Sequence, residues 1–315
     1  DLLQARLHRS GPDVVRRLQS RAAEWCAHNG QIVEAVDYAL AARDFERAAG
    51  LIEVYWADAT GQGEIDTVWN WLSALPKDTI REHAPLSVTY CWLLWLQGKT
   101  GAIEPHLADA ERTVCGAITL GADDEAWAGL HAELAALRSI VARYNNDFSA
   151  AITLAEQALH LIPNQAQSQA SAQLRGLIYM ALASACDGAG DLNKAASAYA
   201  EAIRCNRIGA NAAGVTGTAY RLVGSLRLLG RLRAADATCR EALAYIQEQG
   251  MARLPATGIL HIAMSEVLVE RNELEAAEAH LSRGIDLGKG SGRLDAVKNA
   301  AYALSRLRQA QQDTY

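Results

Sequence analysis

The sequence predicts an all-α protein: a right-handed superhelix, or solenoid, of helical hairpins that repeat about every 40 residues. Three observations carry the prediction. Strand signals are sparse, with two Phe in 315 residues and few Val-Ile-Thr runs, while Ala, Leu, Glu, Arg and Gln, which favour helix, abound. Four stretches share one pattern: "NDFSAAITLAEQAL" (Asn146–Leu159), "GDLNKAASAYAEAI" (Gly190–Ile203), "GRLRAADATCREAL" (Gly230–Leu243) and "NELEAAEAHLSRGI" (Asn272–Ile285). Each opens on Gly or Asn, residues that tolerate the left-handed backbone ending a helix.

Within each stretch the residues after the opening Phe or Leu fall on one helical face. Ala151, Ala195, Ala235 and Ala277 come three positions on; Ala155, Tyr199, Cys239 and Leu281 come four later; Ala158, Ala202, Ala242 and Gly284 close the set. Small residues on that face let the next helix approach closely. Phe148, Leu192, Leu232 and Leu274 recur every 40 to 44 residues, the length of a helix–turn–helix unit.

The N-terminal part follows the same grammar less regularly. "VVRRLQSRAAEWCAHNG" reads as an amphipathic helix stopped at Asn29-Gly30, and Phe45, Ala48 and Ile52 take the repeat offsets. "GQGEIDTVWNWLSALPKD" gives a break, a helix from about Glu64 and a stop at Pro76, with Trp69 and Trp71 on different faces. The pattern divides the chain into a helical connecting region, residues 1–55, and the repeat superhelix, residues 56–315, whose last repeat is truncated. The opening "DLLQARLHRSG" reads as the middle of a helix, the expectation for a piece of a larger protein.

Two stretches hint at nucleotide binding. In "LQGKTG" (Leu96–Gly101), Gly98-Lys99-Thr100 matches the tail of a phosphate loop, but a full motif needs Gly where Leu93 stands and a strand before it. The same triplet sits where Gly190-Asp191-Leu192 sits in its repeat, with Ile103, Leu107 and Ala110 at the packing offsets, so it reads as a turn. "LGKGSGR" (Leu287–Arg293) likewise follows a repeat and no strand.

Other chemistries find no pattern. Cys26, Cys91, Cys115, Cys186, Cys205 and Cys239 are scattered without a C-x-x-C pair, which disfavours zinc and disulfide frameworks and suggests a reducing, cytoplasmic compartment. The eight His do not cluster, with His261 and His280 in separate helices of one hairpin. No G-x-S-x-G elbow is present, so no enzyme activity is expected of this segment. A net charge of −6 argues against a dominant nucleic-acid surface. The longest apolar run, Val88–Leu96, is too short for a membrane span. Arg6, Arg9, Arg16, Arg17 and Arg21 crowd the start as an exposed helix face, one suited to contact with an upstream domain. Arg221, Arg227, Arg231, Arg233 and Arg240 form a second basic zone, interrupted by Asp236 and Glu241.

The stretch Arg21–Trp25 ("RAAEW"), the helix-ending Asn29-Gly30 and Glu34–Ala42 ("EAVDYALAA") resemble a segment of the large MalT-type, LuxR-family transcriptional regulators. The resemblance continues through "WLSALPKDTIREHAPLSVTYCWLLWLQGK" and "HAELAALRSIVARYNNDFSAAITLAEQALHLIP" over nearly the whole chain. It implies a tetratricopeptide-like sensor domain. In that family an upstream P-loop module would use ATP and Mg, a C-terminal helix-turn-helix would bind DNA, and the repeats would receive a small-molecule effector or an inhibitory protein and govern self-association. No cofactor is expected in the segment itself. The alternative is a tetratricopeptide-like adaptor that binds a peptide or protein with no transcriptional role.

A solenoid of hairpins lines its concave face with the first helix of each pair. Counting back from the turns places Trp92, Trp95, Arg143, Met180, Asp187, Tyr220, Arg227, Ile262 and Glu266 there. Of these, Trp92, Trp95, Arg143, Asp187, Tyr220, Arg227 and Glu266 are the candidate contacts for an effector or partner, since aromatic faces stack while Arg and carboxylates fix orientation.

Overall fold

A computed structural model describes residues 11–119, 124–162, 168–253, 255–289 and 294–312. Among the described residues every regular element is helical. The α-helices are α1 (Pro12–His28), α2 (Ile32–Ala42), α3 (Phe45–Gly61), α4 (Ile65–Ala74), α5 (Lys77–Glu82), α6 (Ala84–Leu96), α7 (Ile103–Thr119) and α8 (Asp124–Tyr144). They continue with α9 (Phe148–Leu161), α10 (Gln169–Gly188), α11 (Leu192–Ile208), α12 (Ala212–Leu228), α13 (Leu232–Glu248), α14 (Gly258–Glu270), α15 (Leu274–Gly288) and α16 (Leu294–Gln312).

The chain divides into two compact units: residues 1–60 with 64–137, and residues 138–315 with 61–63. The sequence pattern changes character at residue 55, but that residue lies inside α3, so no chain break marks it. In the first unit α1 packs on α2 and α6 on α7. Its core joins Val36, Ile52, Trp71, Leu72, Leu86 and Leu93. Trp71 is buried and its indole donates to Asp37 Oδ1 at 2.9 Å, whereas Trp69 is only partly buried, stacked on Tyr90 with Lys99 over its ring.

The second unit is a run of hairpins. The packing residues read from the pattern are buried throughout, from Ala151, Ala155 and Ala158 to Ala277 and Leu281. The turns explain why the period is so regular. Asn146, Gly190, Gly230 and Asn272 all take positive φ, between 60° and 82°. In each turn the next residue donates its amide back across the helix end: Asp147 to Ala142, Asp191 to Cys186, Arg231 to Leu226 and Glu273 to Leu268, at 2.8 to 3.0 Å. This bond satisfies a carbonyl the ending helix would leave open. Asp147 and Asp191 then cap the following helix by accepting the amides of Ala150 and Lys194. Gly98 has the same positive φ, and Lys99 donates to Leu94 O at 2.8 Å, so "GKT" is a turn after helix α6. Residues 290–293 of "LGKGSGR" lie outside the described residues, as do Arg6 and Arg9.

Gly284 replaces the Ala of the other repeats for a steric reason. A Cβ there would lie 2.8 Å from Gly258 O and 2.8 Å from Ile262 Cγ1, and a Cβ at Gly258 would lie 2.6 Å from Gly284 O. The backbones of α14 and α15 therefore touch. Gly284→Ala is expected to destabilise the unit by about 1–3 kcal/mol, seen as a lower urea midpoint; an unchanged midpoint would mean that the helices can separate at no cost.

Candidate functional site

In the second unit α10, α12, α14 and α16 each pack on the next of the set, forming an inner layer, while α11, α13 and α15 back it from outside. The inner helices carry the polar residues of interest at matching places. Arg143, Asp187 and Arg227 are each the next-to-last residue of their helix, α8, α10 and α12. From that place Arg143 Nε donates to Ser184 O on α10 at 2.9 Å. Arg227 reaches the same place one helix pair on, where it meets Glu266 on α14. Arg227 Nη2 also donates to Glu270 Oε1 at 2.7 Å, and Arg306 on α16 donates to the same oxygen at 3.0 Å. The cluster is largely dry: the side chains of Arg227 and Glu266 are 13% and 9% exposed. Burial pushes the Glu266 carboxyl up despite Arg227 and Arg306. Burial also acts to raise Glu270, but its bonds to Arg227 and Arg306 outweigh it and hold that carboxyl below the usual range.

The remaining candidates fall in different places. Trp92 is fully buried, and its indole donates to Glu133 Oε2 at 2.7 Å, so it is a core residue of the first unit rather than a groove residue. Trp95 is partly buried beside it, ring centroids 5.6 Å apart. Ile262 is buried, because α14 turns its apolar side against α15. Tyr220 is partly buried against the main core, and the sulfur of Met180 accepts from Thr218 Oγ1 at 3.4 Å. Asp187 is partly exposed and makes no ion pair among the described residues. The structure thus groups Arg227 with Glu266 and keeps Trp92 and Trp95 in another unit.

Counting back from the turns missed Arg221. On α12 Arg221 and Leu228 are exposed, and Gly217 and Gly224 lie partly exposed on the same helical line, while Tyr220 and Arg227 flank it. The signal was present, since these four residues recur at helical spacing, but the count was anchored on the penultimate position, which is an edge of the face.

The fold and the run of capped turns fit one family, and its sequence model, described as the MalT-like TPR region, matches residues 132–314. The chain belongs to the MalT-like TPR family. Among curated proteins, 92 residues are 37% identical to the serine/threonine-protein kinase PknK of Mycobacterium tuberculosis strain H37Rv, covering 29% of this chain and 8% of that protein. A further match, 32% identical over 110 residues, is to the HTH-type transcriptional regulator AlkS of Pseudomonas putida, covering 35% of this chain and 12% of that one. The chain therefore spans only about a tenth of the curated relatives it matches. Solved structures agree on the fold alone. BtubC from P. vanneervenii superposes with TM-score 0.50 at 19% identity over 68% of this chain and 92% of its own. A Rap protein complexed with competence and sporulation factor gives 0.52 at 13% identity over 90% and 89%.

Elsewhere in this MalT-like TPR chain the structure corrects the reading that the His are dispersed. Hairpin pairing of α14 and α15 brings His261 and His280 together, Nδ1 to Nδ1 at 3.0 Å, so one ring donates to the other. Such facing nitrogens share one proton in the neutral pair. Among the described residues no set of three or more His, Cys, Asp and Glu could hold a metal ion. Burial, with His280 and Arg283 nearby, lowers His261 to about 4. Burial and Arg240 lower His280, against Asp236. Between about pH 4 and 6.5 the unfolded chain binds protons that the folded pair refuses, so stability falls as pH drops through that window. His261→Gln is expected to flatten this loss, measured as the change in thermal midpoint from pH 7 to 5; an unchanged slope would put the acid sensitivity elsewhere.

The second basic zone is neutralised in part: Arg240 pairs with Asp236 and Arg227 with Glu266 and Glu270, while Arg231 donates to the neutral Asn193. Five of the six cysteines, Cys26, Cys91, Cys186, Cys205 and Cys239, are buried. Among the described residues no helix is long and apolar enough to cross a membrane. An open depression of about 440 Å³ along α16, bordered by Leu304, Ser305 and Arg308, draws on one helix only and builds no site.

Proposed function

We propose that this chain is the regulatory repeat domain of a MalT-like transcriptional activator. It binds a small-molecule effector or an inhibitory protein on its inner helices and so controls self-association. The observation that carries this reading is the MalT-like TPR match over residues 132–314, with AlkS, a transcriptional regulator by name, among its relatives. In the proposed protein an upstream module uses ATP and Mg, a downstream helix-turn-helix contacts DNA, and the whole acts in the cytoplasm. The repeat domain itself carries no catalysis. In the second unit its helices offer Arg143, Asp187 and Tyr220 to a ligand; Trp95 is a separate candidate contact of the first unit. Arg227 and Glu266 neutralise each other and serve as a strut. The ligand acts by binding one arrangement of the repeats better than another, and the shift cannot exceed that difference in affinity.

The PknK match favours a second reading, in which the same repeats serve as an adaptor for a protein partner in a signalling protein of another kind. Sequencing the coding DNA on both sides separates the two. A G-x-x-x-x-G-K-[ST] motif after a strand upstream, with a helix-turn-helix downstream, supports the regulator. Absence of both output modules from the open reading frame would overturn it and leave the adaptor.

A further inference from the structure

A buried hydroxyl without a hydrogen-bond partner lies within electrostatic reach of three charged side chains, Arg143, Asp187 and Arg221. Tyr199 on α11 is 0% exposed, and its hydroxyl completes no hydrogen bond. Burial raises its pKa; Arg221 and Arg143 act to lower it and Asp187 to raise it, so all three charges lie within electrostatic reach of that oxygen. Arg221 stands next to it but outside good hydrogen-bonding geometry. Arg221 is exposed and makes no ion pair among the described residues, and Asp187 makes none either. Arg143 spends Nε on Ser184 O and leaves its terminal nitrogens for another acceptor.

A second observation concerns the floor beside Arg221. Gly217 and Gly224 flank it on the open face of α12, and a Cβ on either would meet nothing within 4 Å. Packing within the chain therefore does not require glycine there, although glycine weakens a helix. By contrast Gly214, on the same helix, is needed, since a Cβ would strike Asn206 Oδ1 at 2.6 Å. The two packing-free glycines let a bound molecule approach the α12 backbone on both sides of the one guanidinium.

We propose that Arg221, Arg143, Asp187 and Tyr199 form a subsite for a carboxylate group, which lies against α12 over Gly217 and Gly224. The local balance of two guanidinium groups against one carboxylate calls for a single negative charge, and a doubly charged phosphate would overshoot it beside Asp187. A planar carboxylate also fits the fork of an arginine. The subsite rests on the proposed ligand-binding role and names the chemistry of the ligand: an acidic small molecule, or the terminal carboxylate of a peptide.

The test is fluorine NMR on the whole chain with 4-fluorobenzoate, using 4-fluorobenzamide as the neutral control. N-acetyl-trialanine as free acid and as amide, read by calorimetry, forms the peptide arm. Saturable binding of an acid but not of its amide is expected, and whichever acid binds identifies the source. Arg221→Gln should weaken it about tenfold or more, the loss of a charge-assisted bond. Arg204→Gln, on the outer helix α11, should not. Asp187→Asn should tighten binding, which a merely structural role would not do. Gly224→Ala should raise the unfolding midpoint yet weaken the acid. Equal binding of acid and amide, no binding of any acid, or an unaffected Arg221→Gln variant would each overturn the subsite. An intact regulator gene whose product binds no acid sinks the subsite alone. Acid binding through Arg221 in a protein lacking both output modules sinks the regulator reading alone.

Discussion

Arg227→Ala is expected to cost the second unit about 3–5 kcal/mol, the usual result of stranding one partner of a buried ion pair. The variant leaves Glu266 and Glu270, one turn apart on α14, with Arg306 as the remaining cation. The loss should be larger at pH 8 than at pH 5. Glu266 is already raised by burial, so its favourable contribution is present at low pH and is lost as pH rises through its folded value. Without Arg227 that rise is steeper. Arg227→Met with Glu266→Leu should recover most of the loss, since removing both partners removes the stranded charge. Urea midpoints at the two pH values check this; a pH-independent loss would mean that packing, not charge, holds α12 to α14.

Trp92→Ala should be as severe, about 3–5 kcal/mol for deleting a buried indole. Two terms combine: the cavity between α6 and its neighbours, and the loss of the N–H that Glu133 accepts. Burial pushes the Glu133 carboxyl up to about 7 even with that bond pulling it down. Trp92→Phe isolates the second term and should cost about 1.5–3 kcal/mol, as for a bond to a charged group. Because the folded value of Glu133 is raised, this residue favours the fold below pH 4.5 and the benefit fades as pH rises through about 7. The deficit of Trp92→Phe should therefore shrink on acidification. Equal midpoints for Trp92→Phe and the parent at pH 8 would sink this account.

The hairpins were legible because each repeat writes its own punctuation. Asn146 and Asn272 could be read as left-handed turn residues from type alone, and their φ values of 63° and 60° agree. The same rule could not find Arg43 and Ala210, which adopt φ of 59° and 51° without being Gly or Asn. Both are exposed, and the same backbone closure holds them, Asp44 donating to Ala39 O and Asn211 to Asn206 O at 2.9 and 2.8 Å, a bond that residue type does not announce. The inner face was legible in part. Helical phase identified which helices carry it, but Trp92 and Trp95 form an aromatic pair that pattern alone could place in a groove or in a core. The deciding fact is Glu133, 41 positions away in sequence, and no local signal announces it. The meeting of His261 with His280 is hidden for the same reason, since it depends on how α14 and α15 cross.

Arg143 and Arg227 each hold the first helix of the next hairpin from the same repeat position, yet they grip different things. Arg143 holds a main-chain carbonyl, which every amino acid supplies. The residue at 184 can drift under mutation so long as it stays small, and a duplicated or exchanged repeat would be accepted there without a matching change. Arg227 holds carboxylates, so position 266 cannot drift alone. The array should therefore have grown and recombined more readily at its α8–α10 junction than at its α12–α14 junction, where two residues must be inherited together.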